Sequence, residues 1–238
     1  MSDKIAVISG ASRGIGFGVA KALAQKSYQL VLLARDAAAL DKAAQSLTEA
    51  GVKVSCFAVD ISDAKRVKYF AQELARQIPC VDVLINCAGV IIETQDDGSP
   101  SDLAHVDSDK VLETLNINSV GALRMTQALL PLLRAADAAR IVNISSGMGA
   151  LNDMEGGWPG YRMSKAALNA LTKITAAETH NTNIKVNSVC PGWVRTDMGG
   201  SNADRSVDEA VPGILWAAEL DAQGPNGGFF RDGRAIDW

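Results

Sequence analysis

Tyr161 and Lys165 stand four positions apart in the run Gly160-Tyr161-Arg162-Met163-Ser164-Lys165. Four residues make about one helical turn, so the two side chains share one helix face. A free phenol titrates near about 10, too high for acid–base work at neutral pH. A neighbouring ammonium favours the phenolate and should draw that value down. The pair therefore reads as a proton donor and its tuner. Tyr and Lys also meet at this spacing on solvated helix faces, so the pair gains meaning only from the residues around it.

The segment Ser9-Gly10-Ala11-Ser12-Arg13-Gly14-Ile15-Gly16 follows an apolar run and opens a helix-period stretch. Its glycines are spaced G-x-x-x-G-x-G. Gly10 permits a tight turn, Gly14 lets backbone approach a pyrophosphate, and Gly16 allows close helix–strand packing. The helix that follows offers free N–H groups and a positive dipole end to phosphates. Ser12, Arg13 and Ile15 lie in the same loop and join the expected cofactor contacts.

The next apolar run ends Leu32-Leu33-Ala34-Arg35-Asp36. An NAD site places an acidic residue here, on the ribose 2′-hydroxyl. Ala34 occupies that place and Arg35 follows it. Arg35 and Arg13 suit a 2′-phosphate, which guanidinium groups grip in a bidentate way. NADP(H) is therefore expected rather than NAD, although Asp36, one residue on, keeps NAD as the alternative. Asp60, with Ile61 beside it, suits either a bond from an adenine amino group or a helix cap ahead of Ser62-Asp63-Ala64. In Asn86-Cys87-Ala88-Gly89 the small residues let backbone pass close to a flat ring, and Asn86 fits either a ligand contact or a turn stabiliser.

These motifs need a frame that holds them. Strands are expected at 4–9, 29–33, 53–58, 81–85, 140–144 and 185–189, with a short last one at 228–230. Helices are expected at 14–25, 37–49, 63–77, 107–133, 161–178 and 207–217. Strand–helix alternation implies parallel strands with helical crossovers. Continuous apolar strands imply helices on both faces. The fold class is α/β, a Rossmann-type doubly wound parallel sheet of about seven strands in a single domain over 1–238. Loops 93–101, 147–159 and 199–206 fall where open sheets of this class bind ligands.

Composition excludes several alternatives. The 238 residues are 47% hydrophobic and 21% charged, with a formal net charge of −4. That balance suits a globular core and gives no reason to expect a nucleic-acid partner. No run approaches the roughly 20 apolar residues of a membrane span. Met1-Ser2-Asp3-Lys4 lacks the pattern of a signal peptide, so a cytoplasmic location is expected. Cys56, Cys80, Cys87 and Cys190 form no C-x-x-C pair, and His105 and His180 do not cluster with them. No metal site is expected.

Taken together, the chain resembles the short-chain dehydrogenase/reductase family over essentially its whole length. The resemblance rests on Gly10-x-x-x-Gly14-x-Gly16, Asn86-Cys87-Ala88-Gly89, Asn118-Ser119-Val120-Gly121, Ile144-Ser145-Ser146, Tyr161-x-x-x-Lys165 and Pro191-Gly192 in this order. The stretch from Cys190 to Met198 and the tail from Gly224 to Trp238 look like the carbonyl reductase branch, which reduces aldehydes and ketones with NADPH. The resemblance implies a catalytic set of Asn118, Ser146, Tyr161 and Lys165. Tyr161 would protonate the substrate oxygen and Ser146 would bind it, with Ser145 as a rival. Lys165 would lower the phenol pKa and hold the nicotinamide ribose, and Asn118 would hold a water that links Lys165 to solvent. Asn86, Ala88 and Gly89 would line the adenosine side. Pro191, Gly192, Val194 and Thr196 would border the nicotinamide, the last two at its carboxamide.

The chain departs from the family pattern at Ser9, where threonine is usual, and at Cys87, where asparagine is usual. Ser146 lies fifteen residues before Tyr161, slightly farther than usual. Animal carbonyl reductases carry a long insertion between serine and tyrosine that masks a subunit surface; without it, a homodimer or homotetramer is expected. Ile91, Ile92, Leu151, Met154, Trp158, Trp193 and Met198 are candidate pocket residues. Their apolar character points to a hydrophobic aldehyde or ketone as the small-molecule partner. The alternatives are an NAD-dependent alcohol dehydrogenase and a non-catalytic NADP-binding regulator.

Overall fold

The structure is a computed structural model that describes residues 4–95, 99 and 101–238. Positions 96–98 and 100 of the expected loop 93–101, and residues 1–3, lie outside the described residues. Strands and helices alternate along the chain: β1 (Ile5–Ser9), α1 (Gly14–Ala24), β2 (Gln29–Ala34), α2 (Ala37–Glu49), β3 (Val54–Ala58), α3 (Ala64–Ala75) and β4 (Val83–Asn86). Then follow α4 (Ser108–Leu115), α5 (Gly121–Ala135), β5 (Ala139–Ile144), α6 (Pro159–Glu178), β6 (Ile184–Val189), α7 (Val207–Ala218), β7 (Phe229–Arg231) and β8 (Arg234–Ala235).

One sheet runs β3-β2-β1-β4-β5-β6-β7-β8. Every neighbouring pair is parallel except β7 and β8. The expected seven strands are present, and β8 adds an antiparallel eighth. A turn at Asp232-Gly233 makes that hairpin, with φ of 51° and 74°. Positive φ at both central residues is what Asp-Gly supplies in a two-residue hairpin.

Strand order reverses between β2 and β4, which flank β1 on opposite sides. This switch point opens a crevice at the C-terminal strand ends. Alternation along β1 feeds two cores. Val7 packs on one face with Phe70 and Leu74 of α3 and Met125 and Leu129 of α5. Ile8 packs on the other with Val19 and Leu23 of α1, Leu40 of α2 and Ile214 of α7. Burial on both faces explains the unbroken apolar strands. The edge strand β3 is the exception, and its residues are partly exposed.

Two expected boundaries move, and both moves shape the site. The single helix expected at 107–133 is instead α4 and α5 joined by a π-helical turn, Asn116–Val120. Such widened turns concentrate at functional positions. Here the turn buries Asn118 and Ser119, whose side chains bond to Val90 and α6. The helix expected from 161 begins earlier, with Pro159 at its start. Proline suits that position because its missing N–H has no helical partner there. Tyr161 thus lies in the first turn of α6.

Candidate active site

Strand β5 ends at Ile144 and delivers Ser145 and Ser146 to the C-terminal edge of the sheet. The two serines part ways there. Ser145 is buried, with its hydroxyl donating to the Lys165 carbonyl at 3.4 Å. Ser146 accepts from the Met148 N–H at 3.1 Å and hydrogen-bonds the phenol of Tyr161. Of the two rivals, Ser146 is therefore the one beside the tyrosine. Lys165, one turn along α6, is 5% exposed. Its Nζ donates to the Ile144 carbonyl at 2.9 Å and lies 5.5 Å from the Tyr161 ring centroid.

The electrostatics of this group differ from the expectation that Lys165 pulls the phenol down. Burial dominates both groups. It pushes the Tyr161 phenol up to about 12, against a lowering from the Ser146 hydrogen bond. It brings the Lys165 ammonium down to about 8. Charge is costly away from water, so each group leans toward its neutral form. A neutral phenol is a proton donor, the form needed for general-acid work.

Asn118 reaches the same place from the π turn. Its Oδ1 accepts from the Val90 N–H at 2.8 Å, while Nδ2 donates to the Val90 carbonyl at 2.9 Å and to Ser164 Oγ at 3.0 Å. The amide thus ties the chain leaving β4 to α6. Gly89 fits between: a Cβ there would stand 3.2 Å from Asn118 Oδ1 and 3.5 Å from Lys165 Nζ.

The glycine loop closes on the turn after β4. Gly10 has φ +67°, and a Cβ on it would lie 2.8 Å from the Ala88 Cα. The Ser9 hydroxyl accepts from the Cys87 and Ala88 N–H groups at 3.1 and 3.2 Å. Serine therefore retains the hydrogen-bonding function expected of its hydroxyl. Helix α1 begins with no side-chain cap and no acidic residue in its first turn. Its first N–H groups lack intrahelical partners, which suits a phosphate.

The segment leaving β6 reaches over to this loop. A Cβ on Gly14 would stand 3.2 Å from Thr196 Cγ2, and Arg13 pairs with Asp197 at 2.6 Å. Val194 is buried, its neighbours Trp193 and Arg195 exchanging main-chain hydrogen bonds with Arg205. The Pro191 carbonyl and Gly192 rest on the Arg205 side chain. Cys190 Sγ accepts from the Gly147 N–H at 3.1 Å and from Arg231 at 3.0 Å, which holds the turn after Ser146 against β6.

At the far end of the crevice Arg35 is exposed just past β2. Asp36 is committed elsewhere, capping α2 by accepting from the Ala39 N–H at 3.1 Å. Asp60 Oδ1 accepts from Ser62 N and Oγ at 2.8 and 2.7 Å. Burial raises its carboxyl pKa, but these bonds and the Arg35 and Arg66 cations hold it below the ordinary value. Asp60 does not cap the next helix, since Asp63 does. Two expected contacts turn inward. Ile61 is buried against Gly121 of α5. Asn86 donates to Asn143 Oδ1 at 2.8 Å inside the core, so its side chain serves as a stabiliser of the strand ends.

The profile of the short chain dehydrogenase family matches residues 4–206. The chain belongs to that family. As a short-chain dehydrogenase, it is an NAD(P)-dependent oxidoreductase. It falls in the carbonyl reductase-like branch. It is 29% identical to carbonyl reductase [NADPH] 1 of Bos taurus, over 100% of this chain and 99% of that one. It is 31% identical to carbonyl reductase family member 4 of Xenopus laevis, over 88% and 84%. Among solved structures, NADPH-bound carbonyl reductase from chicken fatty liver superposes with a TM-score of 0.87 at 28% identity, covering both chains fully. The carbonyl reductase Sniffer of D. melanogaster gives 0.86 at 28% identity, again over both whole chains.

Two features of this dehydrogenase's site escaped the sequence reading. Asp197 faces Arg13 across the crevice, although the two are 184 positions apart in sequence. Glu93, fully buried, touches the start of α6. A glutamate inside an expected exposed loop carries no sequence signal for either role.

Proposed function

We propose that this dehydrogenase reduces the carbonyl of a hydrophobic aldehyde or ketone with NADPH, reversibly, with Tyr161 as general acid. The observation that carries the reading is the convergence of the Ser146 hydroxyl, the Tyr161 phenol and the buried Lys165 ammonium at one strand end. Bound NADPH supplies the hydride to the carbonyl carbon. Ser146 holds the carbonyl oxygen, and Tyr161 gives it a proton. Lys165 stabilises the phenolate that remains and has further N–H donors for ribose hydroxyls. Asn118 keeps the wall opposite Lys165 in place. Orientation of this kind and a positioned acid together account for much of an enzyme's acceleration, the acid for about 10²–10⁴-fold.

NADP(H) fits the chain's own residues. The glycine cradle and the uncapped start of α1 suit a pyrophosphate, with Ser12, Ile15 and Gly16 in the same turn. The acid next to Arg35 in sequence does not occupy its guanidinium, because Asp36 is spent on α2. The second reading, an NAD-dependent alcohol dehydrogenase, needs a carboxylate at the ribose; Asp60 is the carboxylate closest to that description, and the Arg35 charge acting on it weakens it for that role. Ala88 and Gly89 border the ring path, and Pro191, Gly192, Val194 and Thr196 the nicotinamide end.

The substrate sits among loops 93–101, 147–159 and 199–206 of a single NAD(P)-binding domain spanning 1–238. Leu151, Met154, Trp193 and Met198 are exposed there, an apolar rim that suits an aryl or alkyl ketone. Ile91, Ile92 and Trp158 complete the pocket. A second copy of the chain is the proposed macromolecular partner, packing on the helices around Asn118 and Tyr161, where Val120 of the π turn and Met163 and Ile174 of α6 are exposed. Among the described residues no helix is long and apolar enough to cross a membrane, and no group of residues could hold a metal ion. The proposed location is the cytoplasm.

The test is the oxidation of NADPH and NADH by aryl ketones with the parent and Tyr161→Phe. The parent should prefer NADPH, and Tyr161→Phe should lose about 10²–10⁴-fold in kcat while still binding NADPH. Turnover retained by Tyr161→Phe sinks the acid assignment. No oxidation of either cofactor across a broad carbonyl panel favours a non-catalytic regulator.

A further inference from the structure

Glu93 is 0% exposed and lies outside the catalytic set. No lysine or arginine pairs with it among the described residues. A buried carboxylate without a cation must be held by hydrogen-bond donors. Those donors are found at one place. Oε2 accepts from the Gly160 N–H at 2.6 Å and from the Tyr161 N–H at 3.2 Å. Oε1 lies 2.8 Å from the Thr114 hydroxyl on α4. That hydroxyl is also 2.8 Å from the Lys110 carbonyl, so its one proton is shared between two acceptors.

The start of α6 needs this acceptor. Its N-cap residue is Trp158, which has left-handed backbone and makes no side-chain cap. Pro159 has no N–H, so Gly160 and Tyr161 carry the first orphan donors. Glu93 supplies the missing cap from 67 positions away. The fit is close: a Cβ on Gly160 would stand 2.6 Å from Glu93 Oε1. The same segment is stitched further, since Ser101 N–H donates to the Glu93 carbonyl and Trp158 N–H donates to the Ser101 carbonyl.

We infer that Glu93 is a positioning residue for Tyr161: its carboxylate caps the catalytic helix in trans and sets where the phenol stands relative to Ser146. The inference rests on the reading of Tyr161 as general acid. Its main-chain N–H is directly tethered, so loss of the carboxylate frees the turn that carries the phenol. A misplacement of about 1 Å costs about 100-fold in rate. The glycine cradle and the uncapped start of α1 belong to other elements, and Lys165, one turn farther along α6, is held by its own bond to Ile144, so NADPH affinity does not depend on the Glu93 bond.

The experiment measures kcat for an aryl ketone, and NADPH affinity by fluorescence titration, in Glu93→Ala, Glu93→Asp, Glu93→Gln and Tyr161→Phe side by side. Glu93→Ala should lose about 10- to 100-fold in kcat with NADPH affinity unchanged within about twofold. Glu93→Gln should recover most of the loss. Its amide oxygen accepts both N–H groups, and its NH₂ donates to Thr114, whose proton turns to Lys110. Should Glu93→Ala not fold, Glu93→Asp decides: the shorter carboxylate recedes from both N–H groups and must show the kcat loss alone. Parental kcat in Glu93→Ala or Glu93→Asp beside an inactive Tyr161→Phe overturns the inference and leaves the acid assignment standing. An equal loss of NADPH affinity also overturns it, because the effect is then a general loosening. An active Tyr161→Phe removes the acid, and the positioning role with it.

Discussion

Lys165 Nζ donates to the main-chain oxygen of Ile144, the last residue of β5, at 2.9 Å. The bond pins a buried ammonium to the strand end that carries Ser146. Burial brings that ammonium down to about 8 and leaves the Tyr161 phenol at about 12. Across ordinary pH the phenol is therefore a protonated acid, and the lysine is the group that titrates.

Reduction should consequently fall as pH rises through about 8, when Lys165 loses the charge that stabilises the phenolate. Below that value the rate should be flat. Lys165→Arg, which stays charged throughout this range, should lose this alkaline limb even if its absolute rate is low. Profiles of kcat between about pH 6 and 10 for both proteins check the assignment, and a lysine-independent limb contradicts it.

The same lysine destabilises the fold. A buried ammonium brought from 10.5 to about 8 carries about 3 kcal/mol of cost while it remains charged. Lys165→Met should therefore be inactive yet more stable at pH 7, by about 1–3 kcal/mol after loss of the Ile144 bond. The sign follows from proton counts. Between about 8 and 10.5 the unfolded chain holds the lysine proton that the native one has released, so parental stability rises with pH and the variant's does not. From about 9 the rise is opposed, since the Cys87 thiol, and above 10 also Tyr28 and Tyr161, all pushed up to about 12, keep protons that the unfolded chain gives up. Urea midpoints at pH 7 and 9.5 decide it.

Arg35 and Asp36 are adjacent but serve different ends. Arg35→Ala should raise the KM for NADPH by about 10- to 100-fold, the worth of a charge-assisted bond, and leave that for NADH nearly unchanged. Asp36→Ala should cost about 1 kcal/mol of stability through the lost α2 cap, with no change in the NADPH/NADH ratio. A shifted ratio in Asp36→Ala would instead place this carboxylate at the ribose.

Arg13 and Asp197 close the crevice as an exposed pair. Such a pair contributes at most about 1 kcal/mol to stability, so Asp197→Asn should melt like the parent. It should bind NADPH a few-fold more tightly at low salt, about 2- to 5-fold, because Arg13 no longer has a carboxylate competing with the phosphate. Titrations with NADPH and NADH at two salt concentrations test this; an equal gain for NADH refutes the competition.

Much of the frame was legible because its signals are local. The unbroken apolar runs marked strands covered on both faces, and the Gly10 to Gly16 spacing marked the β1–α1 turn. The Asp232-Gly233 turn carries an equally local signal, but its strand β8 is only two residues long, too short to show a strand pattern. The π turn was not legible. The run Asn116-Ile117-Asn118-Ser119-Val120 reads as ordinary helix, and its extra width answers to Val90 and Ser164, which are remote in sequence. Asn86 and Ile61 lie beside the crevice in sequence terms, yet the end of β4 and the turn after β3 direct their side chains into the core.

The sequence by itself determined the fold class, the glycine turn and the Tyr161–Lys165 pair, because each depends on neighbours within a turn or a strand. Only the tertiary structure decided which serine meets the phenol, what caps α6 and how charge settles on the lysine. Those outcomes depend on burial and on partners tens to hundreds of residues away. A carboxylate at position 93 has a meaning only when the N–H groups of Gly160 and Tyr161 are brought to it. A lysine pKa near 8 arises only when the folded chain takes the water away.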